Sequence, residues 1–107
     1  MNLWKLYIKE REGADILCDE HSFLTYTIMD DREVFILDVF VEPGYRKEGL
    51  IKKHWNELME KTNPSRVYTT TDITALNWEP SHKFVLSFGF TPYTQEGNLI
   101  YYYQEIS

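Results

Sequence analysis

The sequence predicts one domain of mixed α and β structure, in which strands precede, separate and follow two helices. Its 107 residues suffice for one domain with its own hydrophobic core. An apolar run from Val34 to Val41 is followed by Pro43 and Gly44 and then by residues at helical spacing. A β-branched run from Arg66 to Thr71 comes next. These three segments predict a right-handed crossover between two parallel strands.

The first half of the chain is predicted to contain three strands. Leu3 to Glu10 mixes apolar and charged residues and is predicted as the first strand. Phe23 to Met29 alternates loosely and is rich in β-formers. Only Asp30-Asp31-Arg32 and Glu33 separate it from Val34 to Val41, and so short a turn predicts a hairpin. Because Val34 to Val41 is almost continuously apolar, we expect a central strand that is buried on both faces.

A long amphipathic helix is predicted after Gly49. Apolar side chains recur every three to four residues, and polar side chains occupy the opposite face. Asn63-Pro64 ends the helix, since the residue before a proline avoids helical geometry. His54 lies on the apolar face and is predicted to be a core or interface histidine. The apolar stripe consists of Leu50, Ile51, Trp55, Leu58 and Met59.

The second half is predicted to contain one more helix and two more strands after Arg66–Thr71. Ser81 to Phe88 fits a short helix that Gly89 ends in a left-handed conformation. Its side chains at Phe84, Val85 and Phe88 are expected to point inward. The two strands, around the turn Gln95-Glu96-Gly97, are Phe90 to Tyr93 and Asn98 to Gln104. The whole order predicts an α/β or α+β fold with strands of mixed direction.

Composition excludes several classes of function. The net charge is −6, so binding to nucleic acid is not expected. The single cysteine, Cys18, permits no internal disulfide, and no apolar run is long enough to span a bilayer. A cytoplasmic protein that does not engage a membrane is therefore expected. His21, His54 and His82 lack the spacing of metal ligands, so no metal site is predicted.

A basic cluster stands out in this acidic chain. Such a cluster is most often a solvated helix face. The alternative is a cradle for ligand phosphates, formed by free backbone N–H groups at a helix N-terminus. The cluster is flanked by Gly44 and Gly49, which favours the cradle. It consists of Arg46, Lys47, Lys52 and Lys53.

Two blocks of sequence resemble those of the GCN5-related N-acetyltransferase (GNAT) family. Asp38-Val-Phe-Val-Glu-Pro-Gly-Tyr-Arg-Lys-Glu-Gly-Leu-Ile51 resembles its acetyl-coenzyme-A-binding segment, a strand and Gly-rich turn that open a helix. Asn77-Trp-Glu-Pro-Ser-His-Lys-Phe-Val-Leu-Ser-Phe-Gly-Phe90 resembles its later block, a loop Asn followed by a helix. The blocks lie in the family's order, and together with the Thr-rich strand between them they cover more than half of the chain.

The resemblance implies a mixed, mostly antiparallel sheet around a β-α-β unit that binds acetyl-CoA. It also implies that the two parallel strands splay apart, so that the backbone of Val39, Phe40 and Val41 binds the pantetheine arm. Asn77 would lie beside the thioester. The pyrophosphate would meet the backbone of Arg46, Lys47, Glu48, Gly49, Leu50 and Ile51. The implied activity is transfer of an acetyl group to an amine by direct attack.

Three positions depart from the family pattern. Ile51 replaces a small residue that allows close approach to a phosphate, and Lys47 stands where the family often has Gly. Val85 occupies the position at which the family often has a Tyr that protonates the leaving thiolate. A valine has no proton to donate.

A carboxylate is needed to accept the proton of the amine. Asp38 is the best-placed candidate, since loss of water in an apolar strand would favour its neutral form. The alternative, that Asp38 is a buried acid satisfied by the backbone or by a neighbouring Tyr or His, stays open. Glu42 and Glu33 are reserve candidates.

Two functions from different classes fit the sequence. The first is an acetyl-CoA-dependent N-acyltransferase that acts on a small amine or a protein lysine, for which the acidic surface is suited. The second is a non-catalytic GNAT-fold protein with a binding, inhibitory or structural role, similar to small acetyltransferase-like proteins of tailed phages. A homodimer is also expected, because Tyr101-Tyr-Tyr103 would make the terminal strand an aromatic edge open to pairing.

Overall fold

The computed structural model describes residues 13–30, 32–46 and 49–106. These residues form one six-stranded sheet and two α-helices, and a short 3-10 turn at Pro43–Tyr45 precedes the first helix. The strands are β1 (Asp15–Cys18), β2 (Ser22–Asp30), β3 (Glu33–Val41), β4 (Arg66–Asp72), β5 (Thr91–Glu96) and β6 (Leu99–Glu105). The helices are α1 (Leu50–Thr62) and α2 (Trp78–Ser87).

The strands lie in the order β1-β2-β3-β4-β6-β5. β3 and β4 are parallel and are joined through α1, whereas all the other neighbours are antiparallel. The predicted mixed, mostly antiparallel sheet with a central β-α-β unit and two helices is therefore confirmed.

Both helices pack against one core. The edge of the Trp55 ring on α1 contacts Phe88, which ends α2, at a centroid distance of 5.2 Å. Val85 of α2 packs against the same cluster of buried side chains. This cluster comprises Leu17, Leu24, Tyr26, Val34, Ile36, Leu58, Val67, Phe90 and Tyr102.

The ends of both helices follow the chemistry of their terminal residues. Asn63, at a φ of 45°, ends α1 in the left-handed region, and its N–H donates to the Met59 carbonyl at 2.9 Å. Gly89, at a φ of 102°, follows α2 as predicted. However, α2 begins three residues earlier than expected, at Trp78. Phe84 is 39% exposed, so its predicted inward orientation is wrong; its ring stacks on Phe88 instead.

One prediction about the strands needs correction, and one strand was not predicted. The four-residue strand β1 was not predicted, and Leu3 to Glu10 lies outside the described residues. The terminal strand β6 is not an edge, because it pairs with β4 on one side and with β5 on the other. The hairpin at Gly97 turns the chain back into the sheet and leaves β5 outermost, so the edge argument for a homodimer is wrong.

Among the described residues, no helix is long and apolar enough to cross a membrane.

Candidate functional site

The parallel strands β3 and β4 separate halfway along their length. Their paired positions run from Glu33–Arg66 to Ile36–Thr69 and end there within the described residues. The Thr69 hydroxyl donates to the Ile36 carbonyl at 3.1 Å and closes the last step of the pairing. Beyond this point β3 stays paired only with β2, and β4 stays paired only with β6. The strand segments 37–41 and 70–72 thus form the two sides of a gap, which we call the cleft.

A β-bulge marks the start of the cleft. In the β2–β3 pairing, Thr25 faces Asp38 and Tyr26 faces Ile36, so Leu37 is an extra residue on β3. A bulge bends its strand and increases the local twist. Leu37 therefore gives a physical reason why β3 leaves β4 at this position.

The cleft half of β3 is exposed to solvent. Val39 and Phe40 are 42% and 46% exposed, whereas Val34 and Ile36 in the paired half are buried. The predicted burial of the whole strand on both faces is therefore wrong for its second half. Asp38 is also exposed, so the predicted burial of this carboxylate is wrong as well. The cause is the same in both cases, because the neighbouring strand has moved away.

The chain runs from the cleft directly into the N-terminus of α1. Gly49 precedes the first helical residue at φ 71° and ψ 22°, a left-handed conformation that a glycine adopts without strain. A Cβ atom at Gly49 would lie in open space, and in the described part of the chain no side chain caps this helix end. The first N–H groups of α1, beginning at Leu50 and Ile51, are therefore available to an anion.

Arg46 folds back onto the end of β3. Its Nε–H donates to the Val41 carbonyl at 3.0 Å, and its guanidinium carbon lies 6.0 Å from the centre of the Phe40 ring. Arg46 thus brings a positive charge to the border between the cleft and the helix N-terminus. Lys52 and Lys53 are exposed on α1 and border a shallow groove beside Gly49.

The turn between β1 and β2 holds the loop that follows β3. The His21 ring stacks on Tyr45 with a centroid distance of 3.6 Å, and its Nδ1 lies 2.7 Å from the Glu42 carboxylate. The Glu42 N–H also donates to the His21 carbonyl at 2.7 Å. These contacts fix the start of the loop from residues 42 to 49, and sequence spacing alone did not reveal them.

A buried polar cluster lies beneath this turn. His54, which is fully buried as predicted for a core histidine, places Nε2 2.7 Å from the Ser22 hydroxyl. The Asp19 carboxylate accepts from the Ser22 hydroxyl at 3.1 Å and lies 3.6 Å from the same Nε2. In a catalytic triad an acid would hold the other ring nitrogen, but the carboxylate nearest to Nδ1, that of Glu57, lies 3.9 Å away, beyond hydrogen-bond distance. The cluster therefore ties α1 to the start of β2 and is not a nucleophile with its base.

Asp19 also organises the turn itself. Its carboxylate accepts the backbone N–H groups of His21 at 2.8 Å and of Ser22 at 2.9 Å. The hydrogen bond from the His21 N–H is the largest cause that holds the pKa of Asp19 below its ordinary value.

On the other side of the cleft, β4 runs into an exposed loop. Asp72 ends the strand and accepts the Thr74 N–H at 2.9 Å and the Thr74 hydroxyl at 2.6 Å. The hydroxyl bond is the larger cause that lowers the pKa of Asp72. The loop ends at Asn77, whose carbonyl accepts the Ser81 N–H and whose exposed side chain makes no capping bond in the described part.

A hydrogen-bonded network joins β4, β6 and α2 beside the cleft. Tyr102 is fully buried, and its hydroxyl lies 2.7 Å from the Thr71 hydroxyl and 2.6 Å from His82 Nδ1. Thr71 belongs to the segment of β4 that lines the cleft. The sequence offered no signal for this contact, because Tyr102 lies 20 and 31 residues from its two partners in the chain.

The structure places most of the predicted site residues around one cleft. The β3 side of the cleft contains Val39–Val41. Arg46 and Gly49–Ile51 follow this side, at the N-terminus of α1, and Asn77 follows the β4 side. Lys47 and Glu48 lie outside the described residues. Glu33, a reserve candidate for the base, lies at the opposite end of β3, where its carboxylate accepts the Tyr68 hydroxyl at 3.0 Å.

Several solved structures are similar to this chain along almost its whole length. An acetyltransferase from Thermus thermophilus superposes with a TM-score of 0.76 at 13% identity, over 97% of this chain and 72% of the other. N-acetyltransferase PseH from Campylobacter jejuni, in complex with acetyl coenzyme A, gives a TM-score of 0.73 at 12% identity over 95% and 74%. A GNAT-family acetyltransferase from Staphylococcus aureus gives a TM-score of 0.72 at 15% identity, over 94% of this chain and 74% of the other.

No protein-family model and no curated protein matches the sequence, so the similarity lies in the structure. The superpositions nevertheless cover 94%, 95% and 97% of this chain at TM-scores of 0.72, 0.73 and 0.76. The chain has the fold of the GNAT-family acetyltransferases.

Proposed function

We propose that this protein binds acetyl-CoA in the cleft between β3 and β4 and transfers the acetyl group to an amine. The observation that carries the proposal is the separation of these strands immediately before an open helix N-terminus. Unpaired strand backbone suits the amide groups of a pantetheine arm. Helix N–H groups suit a pyrophosphate.

The residues around the cleft fit this substrate. The backbone of Val39, Phe40 and Val41 would hold the pantetheine arm, and the N–H groups of Leu50 and Ile51 would hold the phosphates. Arg46 would add a positive charge at the same end. On the β4 side, the exposed Asn77 would hold the part of the substrate near the thioester. An acetyl thioester supplies an activated carbonyl carbon, and the protein positions the amine against it.

Asp38 is our candidate for the group that accepts the proton of the attacking amine. Its carboxylate lies on the cleft half of β3, directly after the bulge at Leu37. Its exposure leaves it open to a cationic acceptor. Both a small amine and the lysine of a protein carry the charge that such a carboxylate attracts.

A thermal-unfolding experiment with acetyl-CoA tests the proposal. At about 100 times its Kd, the ligand is expected to add about 2.7 kcal/mol to the free energy of unfolding. Gly49→Trp should remove this stabilisation, because its side chain would occupy the open space at the helix N-terminus. Gly97→Trp is the matched control, since Gly97 also has a positive φ, 58°, and open surroundings but lies in the β5–β6 turn.

Two results would contradict the proposal. The first is an unfolding temperature that does not respond to millimolar acetyl-CoA. The second is a ligand-induced shift that Gly49→Trp and Gly97→Trp reduce equally, since the cleft would then not be the binding site.

A non-catalytic GNAT-fold protein is the second candidate function. The observation that favours it is Val85, which packs against the core where the family often has a proton donor. A coupled assay for free thiol separates the candidates. An enzyme releases CoA in the presence of a panel of amines such as spermidine and lysine-containing peptides, whereas a binding protein stabilised by acetyl-CoA releases none.

A further inference from the structure

The hydroxyl of Tyr102 is buried at the junction of three elements. A buried hydroxyl costs free energy when it has no hydrogen-bond partner. A phenylalanine at this position would fill the same space without a polar group to satisfy. Here the hydroxyl has a partner on each side, Thr71 at 2.7 Å and His82 Nδ1 at 2.6 Å. The arrangement orients the His82 ring.

The two ends of this network differ in their surroundings. Thr71 lies on the cleft half of β4, which no longer pairs with β3. His82 is half-buried on α2, and its other ring nitrogen, Nε2, makes no hydrogen bond within the described residues. The Trp78 ring lies 5.7 Å from the His82 ring and restricts it from the side of the helix N-terminus. One nitrogen is therefore held by the protein, and the other is free for a ligand beside the cleft.

We propose that His82 protonates the sulfur that leaves when acetyl-CoA is cleaved, and that Tyr102 and Thr71 are positioning residues for it. The inference rests on the proposed function and extends it with a proton donor. The same face of α2 carries Val85 one turn later, and that side chain cannot donate. His82 is ionisable and is joined through Tyr102 to Thr71 on the cleft half of β4.

The proton balance of the step is complete. The amine nitrogen forms a bond to the carbonyl carbon, the carbon–sulfur bond breaks, and its electron pair remains on the sulfur. The protonated His82 gives the Nε2 proton to this sulfur and becomes neutral, while the nitrogen loses its proton to the base. An imidazolium is a stronger acid than an alkyl thiol, so the transfer to the thiolate is favourable.

The network can hold the His82 ring both before and after the proton transfer. With both ring nitrogens protonated, Nδ1–H donates to the Tyr102 oxygen, and the Tyr102 hydroxyl donates to the Thr71 oxygen. After Nε2 has lost its proton, Nδ1–H keeps the same partner. Because the Tyr102 oxygen can keep accepting from Nδ1–H, Nε2 can regain a proton for the next cycle.

Nuclear magnetic resonance of the histidine rings provides a test that does not require turnover. The chain has three histidines, so selective ¹⁵N-histidine labelling gives three rings to assign with His→Gln variants. The probes are CoA and desulfo-CoA, which lacks the thiol. We expect CoA to shift the His82 ring nitrogens more than desulfo-CoA does. Equal shifts with both probes, or no shift with either, would overturn the assignment of the sulfur to His82.

Kinetics provide the second test. We expect His82→Gln to lower kcat at least about 100-fold, the size of a typical general-acid effect, while the Kd for acetyl-CoA stays nearly unchanged. Tyr102→Phe should cause a smaller loss in kcat, also without a change in Kd. Lys83→Gln, an exposed neighbour on α2, is the matched control and should retain full kcat.

The outcomes separate this inference from the proposed function. A wild-type protein that acetyl-CoA does not stabilise contradicts both. A wild-type protein that binds acetyl-CoA but releases no thiol with any amine contradicts both the acetyl transfer and the proton transfer, and leaves only the binding site. If His82→Gln retains the wild-type kcat, His82 is not the proton donor, although the acetyltransferase activity stands.

Discussion

The two halves of β3 have similar residues, but the first half pairs with β4 and the second half separates from it. In the first half, Glu33 to Ile36 pairs with Arg66 to Thr69, and the apolar side chains of Val34 and Ile36 are buried. In the second half, after Leu37, the strands separate and Val39 and Phe40 are exposed. One extra residue in β3 divides a stabilising region from the region that we propose binds acetyl-CoA.

The comparison shows how a sheet can hold a gap without losing its integrity. Each side of the cleft keeps its outer neighbour, since β3 remains paired with β2 and β4 remains paired with β6. The buried contact between Ser22 and His54 then ties the start of β2 to α1. Backbone groups facing the gap are therefore held in place by the protein itself, which would reduce the entropic cost of the binding that we propose.

The largest expected effect contrasts one side chain from each half. Ile36→Ala removes a buried side chain from the paired half and should lower the free energy of unfolding by about 2–5 kcal/mol. Phe40→Ala removes a larger but exposed side chain and should cost much less stability. Urea denaturation of both variants measures the difference. Equal losses would contradict the division of the strand into two regions.

Deletion of Leu37 should convert the open half into a closed one. Without the extra residue, Ile36 and Asp38 would follow each other in regular alternation opposite Tyr26 and Thr25, so no side chain on β3 would have to change face. β3 could then continue to pair with β4. We expect a folded protein whose affinity for acetyl-CoA falls at least about 100-fold, which is about 2.7 kcal/mol.

Circular dichroism and calorimetric titration check this outcome together. The first verifies that the deletion variant is folded, and the second measures its Kd. A folded variant with the affinity of the wild type would show that the bulge does not create the cleft.

The sequence predicted the elements whose signal is local. The stripe of α1, its end at Asn63 and the glycine after α2 all follow from residues close together in the chain. The basic loop between β3 and α1 was found for the same reason. Each of these features is determined by hydrophobic period or by backbone preference, and both can be seen in a short window.

Features that depend on distant partners escaped prediction. Leu37 looks like any other apolar residue of a strand, and it becomes a bulge only through its pairing with β2. The apolar run through Val39 and Phe40 indicated burial because hydrophobicity cannot distinguish a core strand from one that lines a cleft. Likewise, the partners of Tyr102 and His54 become visible only after the sheet and helices have assembled.

A smaller effect on kcat should distinguish substitutions of two carboxylates on β3. Asp38 lies on the cleft half of β3, and Glu33 lies at the paired end, bonded to Tyr68. If Asp38 accepts the proton of the amine, Asp38→Asn should lower kcat about 10- to 100-fold, at the low end of base catalysis because the group is exposed. Glu33→Gln should leave kcat unchanged. Steady-state kinetics of thiol release measure both, and equal values for the two variants would remove Asp38 as the base.

The smallest effect concerns the anchor that keeps the open half in place. The pKa of Asp19 is lowered in the folded protein, chiefly by the His21 N–H, so the unfolded chain binds more protons as the solution is acidified. The stability that Asp19 contributes is therefore complete above the ordinary pKa of an aspartate, about 4, and is lost as the pH falls through the folded value. Asp19→Asn should remove this dependence while its amide oxygen can still accept the backbone N–H groups. Urea denaturation at pH 7 and pH 3 should show a smaller loss on acidification for Asp19→Asn than for the wild type. Identical losses would mean that the turn is held by its backbone contacts alone, and that the charge of Asp19 has no part in keeping β2 in position beside the cleft.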